Sequence, residues 1–201
     1  MIELVVATRN RHKTREIQPI LGPEFSVRDL GAHPEVSEIR ESGTSFEENA
    51  KLKALAASRH LPALVIADDS GLQVDALGGA PGIYSARYAG ANATAKDKID
   101  KLLRELARVP ATEAGRRARF RCVVTLARNG NLLGVFEGTV EGRIADTPRG
   151  ESGFGYDPIF VPDGFEQTFG ELPKAVKNTI SHRAKAIRAV ADRLRRLDVG
   201  G

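Results

Sequence analysis

The chain has 201 residues, 41% of them hydrophobic and 28% charged. That is the balance of a globular protein able to bury a sizeable core in one domain, or in one domain with two lobes. No run is long enough to span a bilayer, no secretory leader opens the chain, and one cysteine, Cys122, excludes an intramolecular disulfide framework, so a cytoplasmic protein is expected. The net charge of +4 suits either a nucleic acid or a small polyphosphate, but with 5% aromatics and no tryptophan a stacking platform for single strands is poorly supplied.

Ile2-Glu3-Leu4-Val5-Val6-Ala7 reads as a strand buried on both faces. Thr8 to Lys13 is a polar turn leading into a helix that ends at Leu21, where Gly22-Pro23 stops it. Phe25 to Leu30 reads as a second strand, and Gly31 to Gly43 as loop. Thr44-Ser45-Phe46-Glu47 matches a capping box, predicting a helix from there to His60. Ala63 to Ala67 is a short buried strand, after which Asp68-Asp69-Ser70-Gly71 has the composition of a turn, with Leu72 to Asp75 as a further short strand. Gly78 to Gly82 is loop, and Ala95 to Leu106 a helix capped by Asn92 or Thr94.

From Ala118 to Leu126 apolar residues alternate with Arg119, Arg121 and Thr125, the period of a half-buried strand. Asn129-Gly130 marks a hairpin whose return strand covers Leu132 to Ile144, with Gly134, Gly138 and Gly142 pointing to bends or bulges. A last helix covers Ser181 to Leu197, with Ile187, Val190, Ala191 and Leu194 as its apolar stripe. A parallel βαβ opening followed by a hairpin implies an α/β fold with a mixed sheet and helices packed on it.

Four segments carry candidate chemistry. Thr8-Arg9-Asn10-Arg11-His12-Lys13 lies between a strand and a helix, where backbone N–H groups favour anions, although it has no P-loop spacing and by itself reads more readily as a solvated basic turn. Glu41 precedes a helix on which Asn49 and Lys53, four residues apart, share a face; Lys53 is a phosphate-holding lysine or part of an ordinary charged helix surface. Asp68 and Asp69 suit a hard cation such as Mg²⁺ or a simple turn; alternation favours Asp69 as the metal-facing group with Asp68 in support. Gly153-Phe154-Gly155-Tyr156-Asp157-Pro158, with Lys177 and Ser181-His182-Arg183, offers aromatic faces and donors to a base, or merely packs.

Together these segments, in order over nearly the whole length, resemble the Ham1-like family, the inosine triphosphate pyrophosphatases (XTP/dITP diphosphatases). The resemblance rests on Thr8-x-Asn10-x-x-Lys13, on Glu41 followed by Thr44-x-Phe46-x-x-Asn49-Ala50-x-x-Lys53, and on Ala67-Asp68-Asp69-Ser70-Gly71-Leu72. It continues in Gly78-Gly79-Ala80-Pro81-Gly82-Ile83-Tyr84-Ser85-Ala86-Arg87, in the Gly153–Pro158 loop, and in Lys177 with Ser181-His182-Arg183. It implies a mixed twisted sheet with flanking helices in two lobes around a central cleft, of the Maf/Ham1-like type, forming a single domain over residues 1–201.

The implied activity is hydrolysis of ITP, dITP and XTP to the monophosphate and pyrophosphate, a sanitation of the nucleotide pool, with Mg²⁺ as cofactor and a homodimer as assembly. Carried over residue by residue, Asp69 and Lys53 are catalytic, and Glu41 and Asp69 hold the metal. Substrate contacts fall to Thr8, Arg9, Asn10, Arg11, His12, Lys13, Ser70, Phe154, Gly155, Tyr156, Asp157, Lys177, His182 and Arg183. In this reading Phe154 stacks on the purine, Asp157 joins the polar contacts, and Arg183 and His182 donate to the six-carbonyl. One departure stands out: the family's first loop usually has glycine after the threonine, where this chain has Arg9, which puts the path of that loop in question. Two rivals remain at this stage, a Maf-like pyrophosphatase of modified pyrimidine nucleotides and a nucleic-acid binder built on the arginine-rich strand and last helix. A substrate nucleotide is expected as partner, and neither nucleic acid nor membrane.

Overall fold

A computed structural model describes residues 1–109 and 114–198. Six strands form one mixed sheet in the order β2-β1-β3-β4-β5-β6. They are β1 (Ile2–Val6), β2 (Phe25–Asp29), β3 (Leu64–Val74), β4 (Arg117–Arg128), β5 (Asn131–Ile144) and β6 (Phe160–Pro162). The helices are α1 (Arg11–Leu21), α2 (Phe46–Ser58), α3 (Ala95–Leu106), α4 (Lys174–Ile180) and α5 (His182–Asp198). β1 lies parallel to both neighbours, Leu4 opposite Val27 on one side and Leu64 on the other, and α1 and α2 are the crossovers such pairing requires. β5 and β6 are antiparallel. No described helix is long and apolar enough to cross a membrane.

The chain divides into two compact units: Met1–Asp69, Cys122–Gly138 and the chain from His182 in one, Ser70–Arg121 and Thr139–Ser181 in the other. The first has a core on each face of its strands. On one face Leu4, Val6 and Ile66 pack with Cys122, Val124 and Leu126, Ile17 and Leu21 of α1, and Ile187, Val190 and Leu194 of α5. On the other, Val5, Ala7, Val65 and Ala67 pack with Ala54 and Ala57 of α2 and with Leu30 and Val36. Even and odd strand residues thus separate cleanly, as the pleat dictates. The second unit gathers Leu72, Val74, Leu102, Ile144, Tyr156 and Ile159 around an aromatic trio. In it Phe160 lies 4.7 Å from Phe120 and 5.4 Å from Phe169, centroid to centroid.

Several expectations are corrected. Asp68-Asp69-Ser70-Gly71 is not a turn: β3 runs through it to Val74, absorbing the separate strand expected at Leu72. Turn composition lost because the carboxylates find cationic partners on both faces of the strand, as described below. The cap of α2 is Ser45, one residue later than the pattern suggests; its Oγ accepts from Glu48 N (3.1 Å), and the Glu48 carboxylate accepts from Thr44 N (2.6 Å). β4 alternates only in its first half; Cys122 to Ala127 are buried on both faces. The last helix stands as expected, at His182–Asp198, but α4 before it and the three-residue β6 went unanticipated, being too short to show a period. Asn129 and Gly130, at φ 51° and 76°, form the expected hairpin turn with both residues left-handed.

The glycines of β5 serve close approach. A Cβ on Gly138 would lie 2.0 Å from the His182 carbonyl oxygen at the start of α5, and one on Gly142 2.3 Å from that of Val161. On Gly134 it would meet only the tip of the Phe136 ring. Gly138→Ala is therefore expected to cost about 1–3 kcal/mol by urea denaturation, since backbone must move, and Gly134→Ala clearly less.

Candidate active site

The charged centre of the first unit follows from the pleat of β3. Asp68 continues the face of Ile66, toward α1 and α5; Asp69 continues that of Val65 and Ala67, toward α2. Each carboxylate meets what its face offers. Lys13 Nζ, in the first turn of α1, is 3.1 Å from Asp68 Oδ2. Arg183, in the first turn of α5, donates to the same oxygen from Nε (3.3 Å) and Nη2 (3.1 Å), and its Nη1 binds Glu16 of α1. Asp68 is 2% exposed and Arg183 equally buried. Burial alone would raise the Asp68 carboxyl, but the charges of Lys13, Arg183 and Lys53 outweigh it and hold the group well below the usual carboxylate range.

On the other face, the four-residue spacing of Asn49 and Lys53 turns both side chains toward Asp69. Asn49 Nδ2 donates to Asp69 Oδ2 at 3.1 Å, and its Oδ1 accepts from the Gly43 amide at 2.8 Å, so both ends of the amide are matched. Lys53 Nζ donates to Glu41 Oε1 (2.6 Å) and to the Asp68 carbonyl (2.8 Å), and stands 3.9 Å from Asp69 Oδ1. Burial works against the Lys53 ammonium, yet the charges of Asp69, Asp68 and Glu41 raise its pKa, so it stays cationic. Asp69 differs from its neighbour. Burial raises its pKa first and the Glu41 charge adds to that, while Lys53, Lys13 and Asn49 oppose without prevailing. Adjacent aspartates are thus set apart, one held well below the usual carboxylate range and one shifted the opposite way.

Among the described residues no group of three His, Cys, Asp or Glu side chains forms a metal cage. Glu41 and Asp69, joined through Lys53, are a two-carboxylate oxygen set, which fits Mg²⁺, an ion that keeps waters and takes its remaining oxygens from phosphates. The buried Cys122 thiol is pushed up to about 12, by burial first and then by the Asp68 charge, and is no nucleophile at neutral pH.

In the second unit the Gly153–Asp157 loop is built around a buried ion pair. Lys177 Nζ is 2.5 Å from Asp157 Oδ2, which also accepts from the Phe154 amide at 2.7 Å. A Cβ on Gly153, at φ 77°, would lie 2.0 Å from that carboxylate oxygen, so only glycine fits. The Lys177 ammonium stands 5.1 Å from the Phe154 ring centroid.

Several residues expected to face substrate also have partners within the protein. Arg183 spends its fork on Asp68 and Glu16, because its place in α5 aims it at the acidic strand; Glu16, three residues after Lys13, was missed. Tyr156 is a core residue at 4% exposure, its hydroxyl donating to the Ser85 carbonyl at 3.1 Å. Asp157 anchors its own loop, and His182 is buried where α5 meets Gly138. Arg9 donates to two backbone carbonyls and is not among the described non-glycine residues with positive φ, so replacing glycine brings no backbone penalty. Thr8 Oγ1 accepts from the Asn10 amide, Asn10 caps α1, Arg11 and His12 are exposed in its first turn, and Ser70 is half-buried in β3. The arginine-rich β4 that suggested nucleic acid is locally balanced: Arg117 pairs with Asp163 and Arg119 with Asp75 and Glu141.

Fold and site define an α/β protein whose central strand holds two aspartates in opposite charge environments. The sequence profile of the Ham1 family matches residues 4–193, and the chain belongs to that family. It is 49% identical to a dITP/XTP pyrophosphatase of Shouchella clausii, covering 96% of each chain. It is 50% identical to a dITP/XTP pyrophosphatase of Geobacillus kaustophilus, covering 93% of this chain and 91% of that one. The solved structure of a HAM1 protein from Coxiella burnetii superposes with a TM-score of 0.87 at 40% identity, covering 98% of this chain and all of that one.

The two aspartates carry opposite linkage. The depressed Asp68 contributes stability that is complete above the unfolded aspartate value, about 3.9, and lost as pH falls through its lower folded value. Asp69, raised on folding, costs stability increasingly as pH climbs through its folded value. Thermal and urea unfolding at neutral pH should show Asp68→Asn destabilising by about 3–5 kcal/mol, leaving buried cations uncompensated, and Asp69→Asn costing clearly less, since burial already works against its charge.

Proposed function

We propose that this protein hydrolyses the noncanonical purine nucleotides ITP, dITP and XTP to the monophosphate and pyrophosphate, removing them from the nucleotide pool. The observation that carries the reading is the grouping of Lys53, Glu41 and Asp69 on one face of β3, in a chain whose relatives are named for dITP and XTP. The family's sequence profile, over residues 4–193, reaches both compact units, which supports one pyrophosphatase domain.

Glu41 and Asp69 are the residues that would hold Mg²⁺, which when bound supplies charge neutralisation at phosphate oxygens. Asp69 takes the proton of a water as its oxygen bonds to the α-phosphorus; the bond to the pyrophosphate oxygen breaks, and pyrophosphate departs with its electron pair. Lys53 stays charged and, with Lys13, offsets negative charge on the phosphates. Asn49 orients the Asp69 carboxylate, and Asp68 fixes Lys13. Phe154, its backbone pinned by Asp157, offers the ring on which a purine stacks. A cytoplasmic setting and a homodimer complete the proposal.

Pyrophosphate release from dITP, XTP, ITP, GTP and ATP, with and without Mg²⁺, tests it. Expected are an absolute need for the cation and kcat/KM for dITP and XTP about a hundredfold or more above ATP and GTP; equal values across the panel overturn the assignment. Asp69→Asn should lower kcat by about 10²–10⁴-fold while the variant stays folded.

A further inference from the structure

We propose that Arg9 is a positioning residue that clamps the loop bearing Glu41, not a substrate contact. This rests on the reading of Glu41 as a cation-holding group. The loop between β2 and α2 is long and, past its first turn at Leu30–Ala32, irregular, yet it must deliver the Glu41 carboxylate to Lys53. Arg9 spans it. Its Nη1 donates to the Leu30 carbonyl at 3.0 Å and its Nη2 to the Val36 carbonyl at 2.7 Å, tying positions six residues apart to one planar guanidinium. The contact is reinforced next door, where the Leu30 amide donates to the Thr8 carbonyl at 3.1 Å. Val36 is itself buried at 1% exposure, so the clamp joins a core anchor.

Downstream, Glu41 is caught by Lys53 and the Gly43 amide by Asn49. The loop is therefore fixed at both ends, and Arg9 is the side chain fixing the end that α2 does not reach. A glycine at this position supplies no such fork, so this chain has an added restraint on the loop. Charge alone does not make the clamp: a lysine ammonium lacks the planar fork that holds two carbonyls at once.

The test uses Arg9→Ala and Arg9→Lys in the full chain, each checked for folding by thermal unfolding. In metal-free protein, amide exchange across residues 30–43 is expected to quicken about tenfold or more in both variants, with other segments unchanged. The Mg²⁺ concentration giving half-maximal pyrophosphate release should rise several-fold in both, while KM for the nucleotide at saturating Mg²⁺ moves little. Unchanged exchange in Arg9→Ala overturns the clamp, as does full rescue of exchange and Mg²⁺ dependence by Arg9→Lys, which would assign Arg9 to charge. A selective rise in nucleotide KM would return it to substrate binding. Glu41→Gln separates the two levels: if it leaves the Mg²⁺ dependence intact, the reading of Glu41 fails, whatever the Arg9 variants do to exchange.

Discussion

The pleat of one strand organises the first unit's charged centre. Consecutive residues on β3 face opposite ways, so two adjacent carboxylates that would repel in a turn are handed to different helices. Asp68 goes to the side of α1 and α5, where a lysine and an arginine lock it as an anion. Asp69 goes to the side of α2, where a second carboxylate, Glu41, shares its lysine. The asymmetry of their titration is a consequence of that sorting. Lys53 also donates to the Asp68 backbone carbonyl, which ties the carboxylates of its own side to the strand itself.

This arrangement accounts for the buried charge in the unit. Ion pairs of this kind are weak evidence for net stability, because desolvation offsets most of the attraction. Their contribution here is geometric: Arg183 and Glu16 hold Asp68, Asp68 holds Lys13, and Asn49 holds Asp69. A similar logic recurs in the second unit, where Lys177 and Asp157 neutralise one another in the interior and so fix the backbone beneath Phe154. In both units a residue proposed to meet substrate is held by a buried polar neighbour.

Much was legible in the chain alone. Buried strands, the helix from Ala95 to Leu106, the Asn-Gly hairpin and the parallel opening all follow from local periodicity and turn chemistry, which neighbouring residues set among themselves. The co-facing of Asn49 and Lys53 follows from helical geometry, and the opposite facing of Asp68 and Asp69 from strand alternation. These are properties of a few consecutive residues and need no knowledge of what packs against them.

What only the tertiary structure decided are the partners. A turn-like Asp-Asp-Ser-Gly became strand interior because cations from segments far apart in the chain stabilise its carboxylates. Arg183 and Arg9 have the chemistry of anion contacts in the sequence, and both find partners within the protein, one in acids and one in carbonyls. A long side chain reaches several ångströms in any direction, so its residue type gives its chemistry but not its target. The target depends on which distant element folding brings within reach, and that information is spread over the whole chain.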